Sequence, residues 1–157
     1  LYACPHVVQT AQEFCDQPLK ILRRSLDLNA VELLMALDIL IVDDSAAIRK
    51  ILQRVLRQAE IPLGNVLEAA DGAEAIEALK AQKVGLILSD INMPNMDGLQ
   101  LLGQVKANPE WSGVPVVMIT TEGSQARVME AVQLGAAGYV RKPFTADQIK
   151  EKLLSFL

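Results

Sequence analysis

Five short apolar runs, each followed by a stretch whose apolar residues recur at helical spacing, limit the folds open to this chain more than any other feature. The runs are Leu37–Val42, Val66–Ala70, Val84–Ser89, Val114–Ile119 and Gly138–Arg141. Most are rich in Val, Ile and Leu without polar alternation, the composition of strands covered on both faces. Between them, Ile48, Ile51, Leu52, Val55 and Leu56 mark a first helix, and Ala75, Ile76 and Leu79 a second. Leu99, Leu101, Leu102 and Val105 mark a third, Val128, Met129, Val132 and Leu134 a fourth, and Ile149, Leu153, Leu154 and Phe156 the buried side of a fifth. Ser45 and Thr145 stand where N-caps belong and Asp71-Gly72 opens the second helix, while Pro62–Asn65, Asn108-Pro109 and Gly135 supply the stops. The alternation predicts an α/β fold: a doubly wound, five-stranded parallel sheet with helices on both faces.

A chain of 157 residues can bury one sizeable core but not two independent large domains. Residues 1–36 read differently from the rest, with mixed polarity and two prolines up to Pro18, then irregularly spaced apolar residues from Leu19 to Met35. They are expected to be an N-terminal extension, either a docking arm or a non-native leader before a natural start at Met35. The folded domain is then 37–157. Nineteen acidic against fifteen basic residues, a net charge of -4, argue against nucleic-acid binding. No apolar stretch reaches the length of a membrane span and no signal peptide is visible, so the expected location is cytoplasmic, without membrane insertion. Cys4 and Cys15 have neither metal-site nor disulfide-framework spacing.

In open parallel sheets the chemistry gathers at the carboxyl ends of the strands. Asp43 and Asp44 follow the first strand here, Asp90 ends the third, Thr120 the fourth and Lys142 the fifth. With strand order 2-1-3-4-5 the three carboxylates crowd one crevice, where like charges oppose joint ionisation. A hard divalent cation such as Mg²⁺ relieves that repulsion, using Asp90, one of Asp43 and Asp44, and a backbone carbonyl near Asn92. The single histidine, His6, is remote in sequence, which argues against zinc. Lys142 and Thr120 would then stabilise phosphoryl oxygens while the Asp90 carboxylate attacks phosphorus in line. Alone, Lys142 is an ordinary exposed cation and Thr120 a strand-end hydroxyl. The joint placement of these residues at strand ends carries the reading.

Val42-Asp43-Asp44-Ser45, Ser89-Asp90 through Asp97-Gly98, Ile119-Thr120-Thr121-Glu122 and Lys142-Pro143-Phe144 occur in this order, and together they resemble the response-regulator receiver domains of two-component signalling. The resemblance spans residues 37–157 and is nearest to the stand-alone chemotaxis type. It implies a flavodoxin-like receiver fold and transfer of a phosphoryl group from a histidine kinase to Asp90. It also implies Asp44 as a direct Mg²⁺ ligand, Asp43 as holder of a metal-bound water and Asn92 as the carbonyl donor. Thr120 and Tyr139 match the family's switch residues; the lesser alternative for Tyr139 is a half-buried tyrosine with no switching role. The Lys142-Pro143 peptide matches the family's cis bond. Asn92 and Glu122 form the pair typical of fast-cycling receivers, and Thr121 stands where a smaller residue is usual, which predicts slower hydrolysis.

The implied output surface is the fourth helix, fifth strand and fifth helix, with Glu130, Gln133 and Lys152 as rim candidates. A downstream protein would bind there, the chain itself being a monomer or a weak phosphorylation-dependent dimer. Two alternatives stand beside this: a receiver excised from a larger regulator, and a Mg²⁺-dependent phosphatase using Asp90 on small substrates. The absence of a linker or DNA-binding motif after the last helix favours a stand-alone protein over the first. Against the second, Asp97 lies seven residues past Asp90 and reads as loop or cap chemistry rather than a general acid.

Overall fold

Alternation along the strands assigns side chains to two separate core layers. The computed structural model describes residues 36–121 and 123–156; expectations that fall on residues 1–35 and on Glu122 lie outside the described residues. In β1 (Leu37–Val42), Ile39 and Ile41 face one layer with Leu86, Leu88, Val117 and Ile119, while Leu40 and Val42 face the other with Ile87, Val116 and Met118. Helices α1 (Ala46–Gln58) and α5 (Ala146–Leu154) cover the first layer through Leu52, Leu56, Ile149 and Leu153. Helices α2 (Gly72–Ala81) and α3 (Gly98–Ala107), with Ala131 of α4 (Gln125–Gln133), cover the second.

The remaining strands are β2 (Leu63–Ala69), β3 (Leu86–Ser89), β4 (Val116–Thr120) and β5 (Gly138–Arg141). All pairings are parallel, in the order β2-β1-β3-β4-β5. This is the predicted order, and it puts the ends of β1 and β3 side by side.

Caps were legible from residue type. Ser45 Oγ accepts from Ile48 N–H at 3.4 Å and Asp71 Oδ1 from Glu74 N–H at 2.9 Å. Thr145 and Gln148 close a reciprocal capping box at α5. Such a cap contributes about 1 kcal/mol.

Three expectations need correction. β2 begins at Leu63, within the stretch expected to be a turn, because Gly64 and Asn65 enter the ladder through an irregularity: Leu37 pairs with Leu63 but Ile39 with Val66. The Asp38 carboxylate holds that extra residue by accepting from Asn65 N–H at 2.6 Å. Leu154 is exposed rather than part of the buried side of α5. In α4 the apolar residues at helical spacing are not the core face: Met129 is 51% exposed and Val132 56%, and only Ala131 is buried.

Asp71 also anchors the loop after β3. Asn95 Nδ2 donates to Asp71 Oδ2 at 2.8 Å, and Gly72 N–H donates to the Met96 carbonyl at 3.1 Å. The Glu74 N–H, and then Asn95, hold the Asp71 carboxyl below its ordinary 3.8, against an opposing effect of burial. A lowered carboxylate pKa contributes stability above the unfolded value and loses it as pH falls through the folded one. Asp71→Asn is therefore expected to be less stable than the parent at pH 7, with the gap narrowing below pH 3.8. Denaturant titrations at pH 7 and pH 3 check this, and a gap independent of pH would contradict it.

Candidate functional site

The end of each central strand passes directly into a polar residue. Val42 pairs with Ala69 and with Ser89, and the chain continues from this register into Asp43 and Asp90. Asp43 N–H donates to the Ala69 carbonyl at 3.1 Å, and Asp90 N–H to the Val42 carbonyl at 2.9 Å. These two bonds extend the ladder one residue beyond the strands and hold both acids at the rim. Lys142 N–H does the same on the far side, donating to the Thr120 carbonyl at 2.9 Å. The Lys142-Pro143 peptide is cis, as expected from the resemblance.

Lys142 Nζ donates to Asp43 Oδ2 at 2.6 Å and to Asp90 Oδ2 at 3.2 Å. The other oxygen of each acid accepts a backbone N–H: Asp43 Oδ1 from Ser45 at 2.8 Å, Asp90 Oδ1 from Ile91 at 2.7 Å. Carboxylate oxygens of Asp43, Asp44 and Asp90 all lie within 4.8 Å of one another, Asp43 and Asp90 buried and Asp44 exposed. Burial raises the Asp43 carboxyl above its ordinary 3.8; the Lys142 and Ser45 hydrogen bonds oppose that rise, while the neighbouring Asp90 charge adds to it. Burial alone would lower Lys142, but its bonds and attraction to Asp43 and Asp90 more than offset this, so its pKa is raised above 10.5 and the ammonium stays charged.

The donors are oxygens alone, grouped at one mouth with an excess of negative charge. Such a set suits a hard, oxygen-seeking divalent ion such as Mg²⁺ and not a soft metal. Asn92 and Thr121 are exposed in the loops flanking this mouth. Thr120 is fully buried at the end of β4. Tyr139 of β5 lies opposite Met118, half-buried against the α2/α3 core layer.

Asp97 is committed elsewhere, as the N-cap of α3. Its Oδ1 accepts from Gln100 N–H at 2.8 Å and its Oδ2 pairs with Arg127 of α4 at 3.4 Å. It is therefore held as a structural cap, not poised as a general acid. A cavity of about 530 Å³ runs along β5 and α5, lined by Tyr139, Arg141, Lys142, Pro143, Gln148 and Lys152.

Residues 39–154 match the response regulator receiver domain family. The chain belongs to that family. Among curated relatives of this receiver, chemotaxis protein CheY-3 of Vibrio cholerae is 43% identical over 115 residues, covering 73% of this chain and 87% of the relative. The solved structure of V. cholerae CheY4 superposes with a TM-score of 0.70 at 33% identity, covering 78% of this chain and 99% of that one. A CheX–CheY complex from Borrelia burgdorferi containing BeF3 and Mg²⁺ gives a TM-score of 0.69 at 27% identity, covering 76% of this chain and 87% of that one. The receiver is thus homologous to chemotaxis response regulators, which are signalling proteins. Among its described residues no helix is long and apolar enough to cross a membrane.

Sequence reasoning missed three contacts of the loops and helices around the site. Asn95 holds the loop after β3 to Asp71, Arg127 ties α4 to Asp97, and Arg49 reaches the backbone of Asp43. Only Arg49 carried a local signal: it is a cation close to the start of α1, where the helix dipole disfavours positive charge.

Proposed function

We propose that Asp90 takes a phosphoryl group from a histidine kinase and that the added charge turns the α4–β5–α5 surface toward a form that a downstream protein binds. The observation that carries this reading is Lys142 Nζ bridging Asp43 and Asp90, with the Asp44 carboxylate close by. In the transfer, a carboxylate oxygen of Asp90 forms a bond to phosphorus while the bond to the donor's imidazole nitrogen breaks and its electron pair stays with that nitrogen. Asp43 and Asp44, with the Asn92 carbonyl, would hold Mg²⁺, which when bound neutralises charge on the phosphoryl oxygens. Lys142 is already placed between the acids and would follow the new negative charge.

The same charge would draw the Thr120 hydroxyl toward the phosphoryl group, with Tyr139 as its partner in the switch. Exposed Met129 and Val132 give the α4 side of the output surface an apolar area, and Glu130, Gln133 and Lys152 rim it. Relatedness to chemotaxis regulators supports a chemotaxis pathway, a cytoplasmic location and a protein rather than nucleic-acid target. The receiver unit is taken as residues 37–157, with residues 1–36 as an extension.

The test is intact mass after incubation with Mg²⁺ and acetyl phosphate. A gain of one phosphoryl group, absent in Asp90→Ala and absent with EDTA, is expected; no gain under conditions that preserve labile adducts contradicts the reading. Steady turnover of a generic phosphate ester would instead favour the phosphatase alternative. Thr121→Ala is expected to shorten the lifetime of the phosphoprotein several-fold, because the methyl and hydroxyl of Thr121 narrow the path of the attacking water. An unchanged or longer lifetime counts against that role.

A further inference from the structure

Arg49 lies four residues beyond the N-cap of α1, at the end of the helix where a cation is unfavourable. Its side chain is nevertheless only 17% exposed. Nη1 donates to the Asp43 carbonyl oxygen at 2.6 Å, and Nε donates to Glu68 Oε1 of β2 at 3.2 Å. The guanidinium therefore spans from α1 over the end of β1 to β2. Because Glu68 is itself well exposed, that ion pair contributes little on its own. The short, charge-assisted bond to the carbonyl is the stronger contact.

That carbonyl belongs to the peptide joining Asp43 to Asp44. Every other polar atom of Asp43 is already engaged: its N–H with Ala69, Oδ1 with Ser45, Oδ2 with Lys142. Arg49 completes the set and fixes the plane of the peptide from which Asp44 departs. Asp44 is the exposed member of the three acids, so its direction depends most on that plane. We propose that Arg49 is a positioning residue of the divalent-cation site, aiming Asp44 at Asp43 and Asp90 through the Asp43 carbonyl. The proposal rests on reading the three acids as a Mg²⁺ site.

Two effects of Arg49 on a bound cation have opposite sign. Its charge repels the ion, and its hydrogen bond organises the ligands. Glu68 offsets most of the charge at 3.2 Å, whereas loss of an outer-shell partner commonly costs about 10- to 100-fold in metal affinity. Positioning wins.

The test is calorimetric titration of the full chain with Mg²⁺ alone, using the parent, Arg49→Ala, Arg49→Lys, Glu68→Gln and Asp44→Ala, with thermal unfolding of each in EDTA. Arg49→Ala is expected to weaken Mg²⁺ binding roughly 10-fold. Arg49→Lys, which keeps the charge but not the fork, should fall between that variant and the parent, and Glu68→Gln, which unmasks the Arg49 charge but keeps its bond to the Asp43 carbonyl, should lose less affinity than Arg49→Ala. These affinity losses should not track the melting temperatures in EDTA. Unchanged or tighter binding in both Arg49 variants, while Asp44→Ala still abolishes binding, overturns the positioning role and leaves the Mg²⁺ site standing. If the parent does not bind Mg²⁺, the site reading fails and this inference with it. Should Arg49→Ala not fold, Arg49→Lys decides alone: parental affinity overturns the proposal.

Discussion

Gly98→Ala is expected to lower stability by about 3 kcal/mol or more, the upper end of what overpacking costs, and to depress the melting temperature by roughly 10 °C. A Cβ on Gly98 would overlap the carbonyl oxygen of Asp90 and come within 2.8 Å of Met118 Cε. The methionine can shift, but the Asp90 backbone cannot do so cheaply. Its N–H is bonded to Val42, and Gly98 N–H closes the loop onto the Ile91 carbonyl at 2.8 Å. Space rather than backbone conformation is what requires glycine here. Gly103→Ala is the matched control, in the same helix with nothing within 4 Å of the added carbon; it should be neutral or stabilising by up to about 1 kcal/mol. Equal melting temperatures for the two variants would show that the β3–α3 loop yields more easily than its hydrogen bonds imply.

Lys142→Ala is expected to have two large effects. Without Mg²⁺ it leaves Asp43 and Asp90 facing each other with no cation between them, and breaking a buried pair of this kind costs about 3–5 kcal/mol. The side chains of Lys142, Asp43 and Asp90 are 11%, 2% and 10% exposed, so solvent screening offers little relief. Saturating Mg²⁺ should restore part of the loss, since a divalent ion supplies the missing positive charge. Phosphoryl incorporation, in contrast, should stay slow by about 10²- to 10³-fold, the effect of removing one donor to the transition-state charge. Denaturant unfolding with and without Mg²⁺, alongside the initial rate with acetyl phosphate, separates the two. A variant as stable as the parent in EDTA would contradict the ion-pair account.

Much of this is legible in the sequence because the informative residues sit at punctuation points. Asp43, Asp90 and Lys142 each follow directly on a strand, so a parallel sheet in the order 2-1-3-4-5 brings them together whatever the details of the helices. Ser45, Asp71 and Thr145 are residues whose side chains cap helices locally, and all three do so. What stayed hidden depends on contacts distant in sequence. Gly64-Asn65 looks like a turn until Asp38, well upstream, bonds to the bulged backbone. Met129 and Val132 look like a core stripe until the packing of α4 buries Ala131 instead. Asn95 gains its place only by reaching Asp71 across 24 residues, and Arg49 only by reaching backwards to the carbonyl at the start of its own helix.

The position of the phosphoryl group tests the central claim most directly. After incubation with acetyl phosphate and Mg²⁺, borohydride reduces an aspartyl phosphate to homoserine and leaves free carboxylates untouched, so peptide mass analysis reads out the acceptor. The account predicts conversion at Asp90 alone, with Asp43, Asp44 and Asp97 unmodified. Conversion at any of those three, or none in a chain that binds Mg²⁺, would contradict it.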